Sequence, residues 1–220
     1  MRFGLITLAA AGVALAQAQQ PLPELIVEPA PGGSVLLIRN KAQQPLAAYL
    51  IELVDYPGSS FSMTQDELLS GDLIPAGREK RIQVTNMTIG AVPEYVKMMA
   101  AIYADGSTAG PPDKIAQMTG RRGAQLEAAR ELIARLEPAV AKETPKPELM
   151  GALTQWIDTL KPPGKPKQDS PAWVNQAAKH SFALHFKTQL DSQTPAEVLA
   201  GVRLAEAALA SSKPAAGGRQ

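Results

Sequence analysis

The chain contains no cysteine in 220 residues. That one count excludes a disulfide framework, thiolate-held metal, a cysteine nucleophile and thiol redox chemistry. It also excludes a lipid anchor attached through cysteine. Histidine is almost as scarce, with two residues, and aromatics make up 5% of the chain. The formal net charge is +1, with none of the basic stripe by which nucleic-acid binders neutralise phosphates. Beyond the first twenty residues no apolar run approaches the roughly 20 residues of a membrane-spanning helix. The fold must therefore rest on its apolar core, and a chain of this length is long enough to bury one or two.

The start of the chain, MRFGLITLAAAGVALAQAQQ, is its most specific segment. Arg2 supplies a positive end, Phe3 to Ala16 an uncharged apolar stretch, and Ala16-Gln17-Ala18 a small-x-small site. This pattern predicts a secretory signal over 1–18, cut after Ala18, and a mature protein in the periplasm or outside the cell. Charge then divides unevenly. Residues 19–109 carry 6 basic and 10 acidic side chains, while 110–220 carry 15 and 11. Two regions of different character are expected.

The first region reads as strands. "ELIVE" (24–28) and "SVLLIRN" (34–40) flank a Pro/Gly break. "PLAAYLIELVDY" (45–56) puts Tyr49, Ile51 and Leu53 on one face and Leu50 and Val54, with Glu52, on the other, so both faces are partly buried. Pro57-Gly58 and Pro75-Ala76-Gly77 are turns. Ile82 and Val84 alternate with Arg81, Gln83 and Thr85. Val96, Met98, Ala100 and Ile102 are expected to face one way, before a reversal at Asp105-Gly106. Five or six short strands at this spacing, with a strand following the "PAG" turn, resemble the Ig-like β-sandwich modules of secreted bacterial proteins over residues 22–109. The chain departs from that pattern in having no cysteine pair and no tryptophan in this half. Gly110-Pro111-Pro112 leaves room only for a very short last strand, or for a helix covering that edge.

The second region, 111–210, reads as about four amphipathic helices. Over 113–137, Leu126, Ala129, Ile133 and Leu136 form a stripe, with a kink or break expected at Gly120 and Gly123. Over 146–161, Leu149, Leu153, Trp156, Ile157 and Leu160 share a face. A proline-rich linker lies near 161–170. Ser170-Pro171 is expected to cap one helix, and Thr194 and Glu197 to form a capping box on the next. The tail, 211–220, reads as disordered. The expected fold class is thus α+β: an antiparallel Ig-like β-sandwich followed by a helical region.

Candidates for chemistry are few. His180 and His185 stand about 140° apart on a helix, whereas zinc-binding helical pairs use i,i+4. Ser59 and Ser60 lack the G-x-S-x-G elbow. Asp66, Glu67 and Asp72 group in "TQDELLSGD", which matches no calcium loop and reads as a loop whose acids face water. Asn86-Met87-Thr88 is a formal glycosylation acceptor that reads as a polar strand end. Arg121 and Arg122 read as a solvated helix face with a capacity for anion or partner contact. Trp156 and Trp173 read as core or helix-seam anchors that would be interface residues if exposed. No residue is assigned as catalytic, cofactor-binding or metal-ligating.

The functional expectation is an exported, non-catalytic binding or structural protein whose partner is a protein or an envelope component. The rival is a secreted hydrolase using Asp66, Glu67 or Asp72, and a weaker third reading lays the helices on a membrane surface.

Overall fold

The computed structural model describes residues 20–85, 87–164 and 170–212. The expected signal segment, Asn86, residues 165–169 of the linker and residues 213–220 of the tail lie outside the described residues. The fold is mixed α+β with antiparallel sheets. Sheet A has the order β1-β2-β5, from β1 (Glu24–Ala30), β2 (Gly33–Arg39) and β5 (Glu79–Val84). Sheet B has the order β4-β3-β6-β7, from β4 (Ser62–Asp66), β3 (Leu46–Leu53), β6 (Val96–Tyr103) and β7 (Thr108–Ala109). Two short helices, α1 (Glu67–Ser70) and α2 (Met87–Ala91), interrupt the strands. Four long helices follow: α3 (Pro112–Ala141), α4 (Lys146–Thr159), α5 (Pro171–Gln189) and α6 (Pro195–Ser211).

Three of the four apolar clusters among the described residues organise these elements. The first joins both sheets: Leu36 and Ile38 of β2 pack with Tyr49 and Ile51 of β3 and Ala101 and Tyr103 of β6. The second lies on the other face of sheet B, where Ala48, Leu50, Ala100 and Ile102 meet Met118 and Ile115 of α3. The third belongs to the helices, with Leu132 and Leu136 packed among Leu149, Phe182, Phe186 and Val202. Strand β3 is therefore buried on both faces, as its doubled apolar pattern predicts. The last strand is indeed only two residues long, and α3 covers the face of sheet B beside it.

Strand β6 departs from simple alternation. Leu50 stands opposite Ala100 and Ile51 opposite Met98, so Met99 is an extra residue without a partner. The bulge turns the strand over. Val96 and Met98 face the two-sheet core, while Ala100 and Ile102 face α3. The four do not share one face. Gly110 fits against this bulge: its φ is 109°, and a Cβ there would lie 2.3 Å from the Met99 carbonyl oxygen.

Helix α3 runs 30 residues, about 45 Å at 1.5 Å per residue. It is unbroken at Gly120 and Gly123, and it continues through Pro138 instead of ending at Glu137. Its N-terminal half is braced by the sheet and its C-terminal half by three helices, which outweighs two glycines at about 1 kcal/mol each. Capping is as expected at α6, where Thr194 and Glu197 form the reciprocal box. At α5, Ser170 holds the capping position, but its side chain makes no capping bond.

Candidate functional site

Strand β4 stops where its last residue turns to cap the next element. Asp66 has extended backbone angles and its Oδ1 accepts from the Leu68 amide at 3.2 Å. The same carboxylate receives the fork of Arg122, with Nε to Oδ2 at 2.6 Å and Nη2 to Oδ1 at 2.9 Å. The next residue points the other way. Glu67 is 0% exposed. Its Oε1 accepts from the Tyr49 hydroxyl at 3.1 Å, and its Oε2 from Lys80 Nζ at 2.6 Å and Ser70 Oγ at 3.1 Å. Lys80 also donates to Asp72 at 3.0 Å. Consecutive acids thus tie sheet B to α3 on one side and to strand β5 of sheet A on the other.

The electrostatics follow from burial and partners. Desolvation pulls the Lys80 ammonium down, but its bonds to Glu67 and Asp72 outweigh it and hold its pKa above the usual lysine value. Burial, reinforced by the neighbouring Glu67 charge and hydrogen bond, pushes the Tyr49 phenol well above its usual range. Burial alone raises Tyr103 to about 12.

These positions correct two expectations. The acids of "TQDELLSGD" do not all face water: only Asp72 does, while Asp66 and Glu67 are enclosed and paired. Nor is Arg121-Arg122 a solvated face. Arg122 is buried and Arg121 half-buried, on the stripe where α3 leaves the sheet for the helices. That stripe runs Met118, Arg122, Gln125, Ala129, Leu132 and Leu136 at steps of 4, 3, 4, 3 and 4. The stripe carries the signal for Arg122 and Gln125, but their polarity hides it. Lys80 is hidden in the same way, although it alternates in phase with the inward Ile82 and Val84.

The remaining candidates are dispersed. His185 is exposed, shares a 3.0 Å contact with Gln189 and sets its ring edge-on to Phe186. His180 lies a turn and a half earlier on α5, half-buried. Trp156 donates to Glu131 at 3.2 Å and stacks beneath Arg135 at 4.2 Å, on the seam of α3 and α4. Trp173, in the first turn of α5, is half-buried, and its Nε1 is enclosed without an acceptor. Ser59 and Ser60 are exposed turn residues. A groove of about 420 Å³ between α3 and α4 is lined by Ala134, Pro138, Leu149 and Leu153 together with Arg135 and Lys142, among others. Among the described residues, no three His, Asp or Glu side chains converge to hold a metal ion, and no helix is long and apolar enough to cross a membrane. No family model matches this chain, and neither a curated protein nor a solved structure matches it.

Proposed function

We propose that this is an exported, non-catalytic binding or structural protein. In this reading an Ig-like β-sandwich carries a helical module, cleavage after Ala18 releases it to the periplasm or the exterior, and it acts by contact with another protein or an envelope component. One observation carries the reading: two of the three acids a carboxylate hydrolase would use, Asp66 and Glu67, are spent on internal pairs, and the third, Asp72, is exposed and paired with Lys80. Glu67 has no exposed surface and three internal donors. Asp66 is clamped by Arg122 and caps α1. A glycosidase-type pair must instead flank a cleft wide enough for substrate, whereas Asp66 and Glu67 keep 7% and 0% of their side chains exposed. The two sheets sharing one core support the sandwich, since face-to-face sheets bury their inner rows against each other.

The experiment is expression of the full chain in a bacterial host that exports it, with N-terminal sequencing of the product. It is paired with crosslinking in the intact envelope and native mass spectrometry of the purified mature protein. A product beginning at Gln19 that crosslinks to a defined protein or envelope polymer is expected. Retention in the cytoplasm, or a mature monomer with no crosslinked partner, overturns the reading.

A further inference from the structure

The cationic residues of α3 other than Arg121 each find an acid. Lys114 is held by Glu52 at 2.7 Å, Arg122 by Asp66, and Arg130 by Glu206 at 3.1 Å. Arg121 is different. Among the described residues it makes no hydrogen bond or ion pair, although Asp66 lies within Coulombic reach. Its Nε is enclosed with no acceptor. Burial lowers the guanidinium's pKa, with the Asp66 charge opposing the shift only in part. One helical turn on, Gln125 is 6% exposed and its Oε1 is likewise enclosed without a donor. The terminal nitrogens of Arg121 and the amide nitrogen of Gln125 also lack partners among the described residues, but they are not enclosed. Side chains at i and i+4 are neighbours on a helix surface, so two sets of unused donors stand together.

The position is not accidental packing at a helix end. Met118, one turn before, belongs to the sheet core, and Ala128 and Ala129, one turn after, to the helical core. A guanidinium held in such a place without a counter-ion is unfavourable. Asp66 cannot serve it fully, because both of its oxygens already receive Arg122. A planar or tetrahedral oxyanion fits the donors that remain open, the terminal nitrogens of Arg121 and the amide nitrogen of Gln125, since guanidinium forks bind such groups strongly.

We propose that Arg121 and Gln125 form a binding site for a single anionic oxygen group, a carboxylate or a phosphate, at the point where α3 passes from sheet B to the helices. This goes beyond the binding role proposed above and does not depend on it.

The test titrates the mature chain with inorganic phosphate in one arm and acetate in another, against chloride at equal ionic strength. The readouts are the Arg121 Nε–Hε resonance by NMR and the thermal midpoint. A saturable movement of that resonance is expected with one anion at lower concentration than the other, which identifies the source. Tenfold saturation raises the midpoint by about 3 to 6 °C. Arg121→Met loses the response, yet melts at or above the wild type in chloride, because it removes an unpaired charge. Gln125→Leu, which keeps the arginine, weakens apparent affinity several-fold. Absence of any saturable response, or an equal response in Arg121→Met and Gln125→Leu, overturns the proposal.

Discussion

Arg122 grips Asp66 through two nitrogens of its fork while 7% of each side chain remains exposed. The pair bolts the end of β4 to the middle of α3, where neither core alone reaches. Removing one member of a buried pair strands the other charge, at a cost of about 3 to 5 kcal/mol. Arg122→Leu should fall near 3 kcal/mol, because Arg121 stands within reach of the stranded carboxylate. Asp66→Asn keeps the capping oxygen, so the double variant should cost less than the sum of the two single ones. Urea unfolding of all four proteins checks this, and additivity within about 0.5 kcal/mol would count against a direct coupling.

The Glu67–Lys80 pair makes a second, separable prediction. Lys80→Met leaves a fully enclosed carboxylate without its counter-charge, and should cost about 3 kcal/mol. Glu67→Gln in the Lys80→Met background should recover most of that loss. The amide oxygen still accepts from the Tyr49 hydroxyl, and the amide NH2 in place of Oε2 donates to Ser70 Oγ, each 3.1 Å from the present carboxylate. Chemical denaturation of the two variants decides whether charge, rather than lost packing of the lysine stem, sets the cost.

Two glycines should respond in opposite directions to alanine. Gly110→Ala forces a side chain into positive φ and against the Met99 carbonyl, so it should lose about 3 kcal/mol or more. Gly123 sits in mid-helix, where an added methyl group would meet nothing within 4 Å. Gly123→Ala should gain about 0.5 to 1 kcal/mol through the lower entropy of the unfolded chain. Thermal melts measure both.

Alkaline pH should destabilise the protein through groups whose folded pKa is raised. Tyr103 is pushed up to about 12, and Tyr49 and Lys80 are also raised. A raised group contributes stability that is fully present below its unfolded pKa, about 10 for tyrosine and 10.4 for lysine. That contribution is lost as pH rises through the folded value. Stability should therefore fall between about pH 10 and 12, with tyrosinate absorbance rising in step with unfolding. Tyr49→Phe, which cannot ionise, should weaken the dependence on pH. A transition unchanged in that variant would remove Tyr49 from the cause.

Much of the architecture is legible in the sequence because apolar spacing reports burial directly. The two-sided pattern around Tyr49 and Leu50 places β3 between two cores, and the Thr194–Glu197 box marks the start of α6. The turn over in β6 is not legible. A bulge at Met99 depends on how its neighbours pair, and Met98-Met99-Ala100-Ala101 is apolar throughout, so no polar residue marks the change of face. The charged junction is half legible. Arg122, Gln125 and Lys80 occupy inward phases of correct periodicity, but a charged side chain reads as outward until its counter-ion is known. Those counter-ions, Asp66 and Glu67, come from a stretch 56 residues before Arg122 and 13 before Lys80.

Because α3 forms a wall of two separate cores, the halves of this molecule are not interchangeable cassettes. A fragment ending before Pro112 would lay bare the strip of Ala48, Leu50, Ala100 and Ile102, an adhesive surface next to strand edges. A fragment beginning there would carry Met118 and Ile115 into water with nothing to cover them. Cutting the chain at Pro112 strands an apolar surface on each side of the cut.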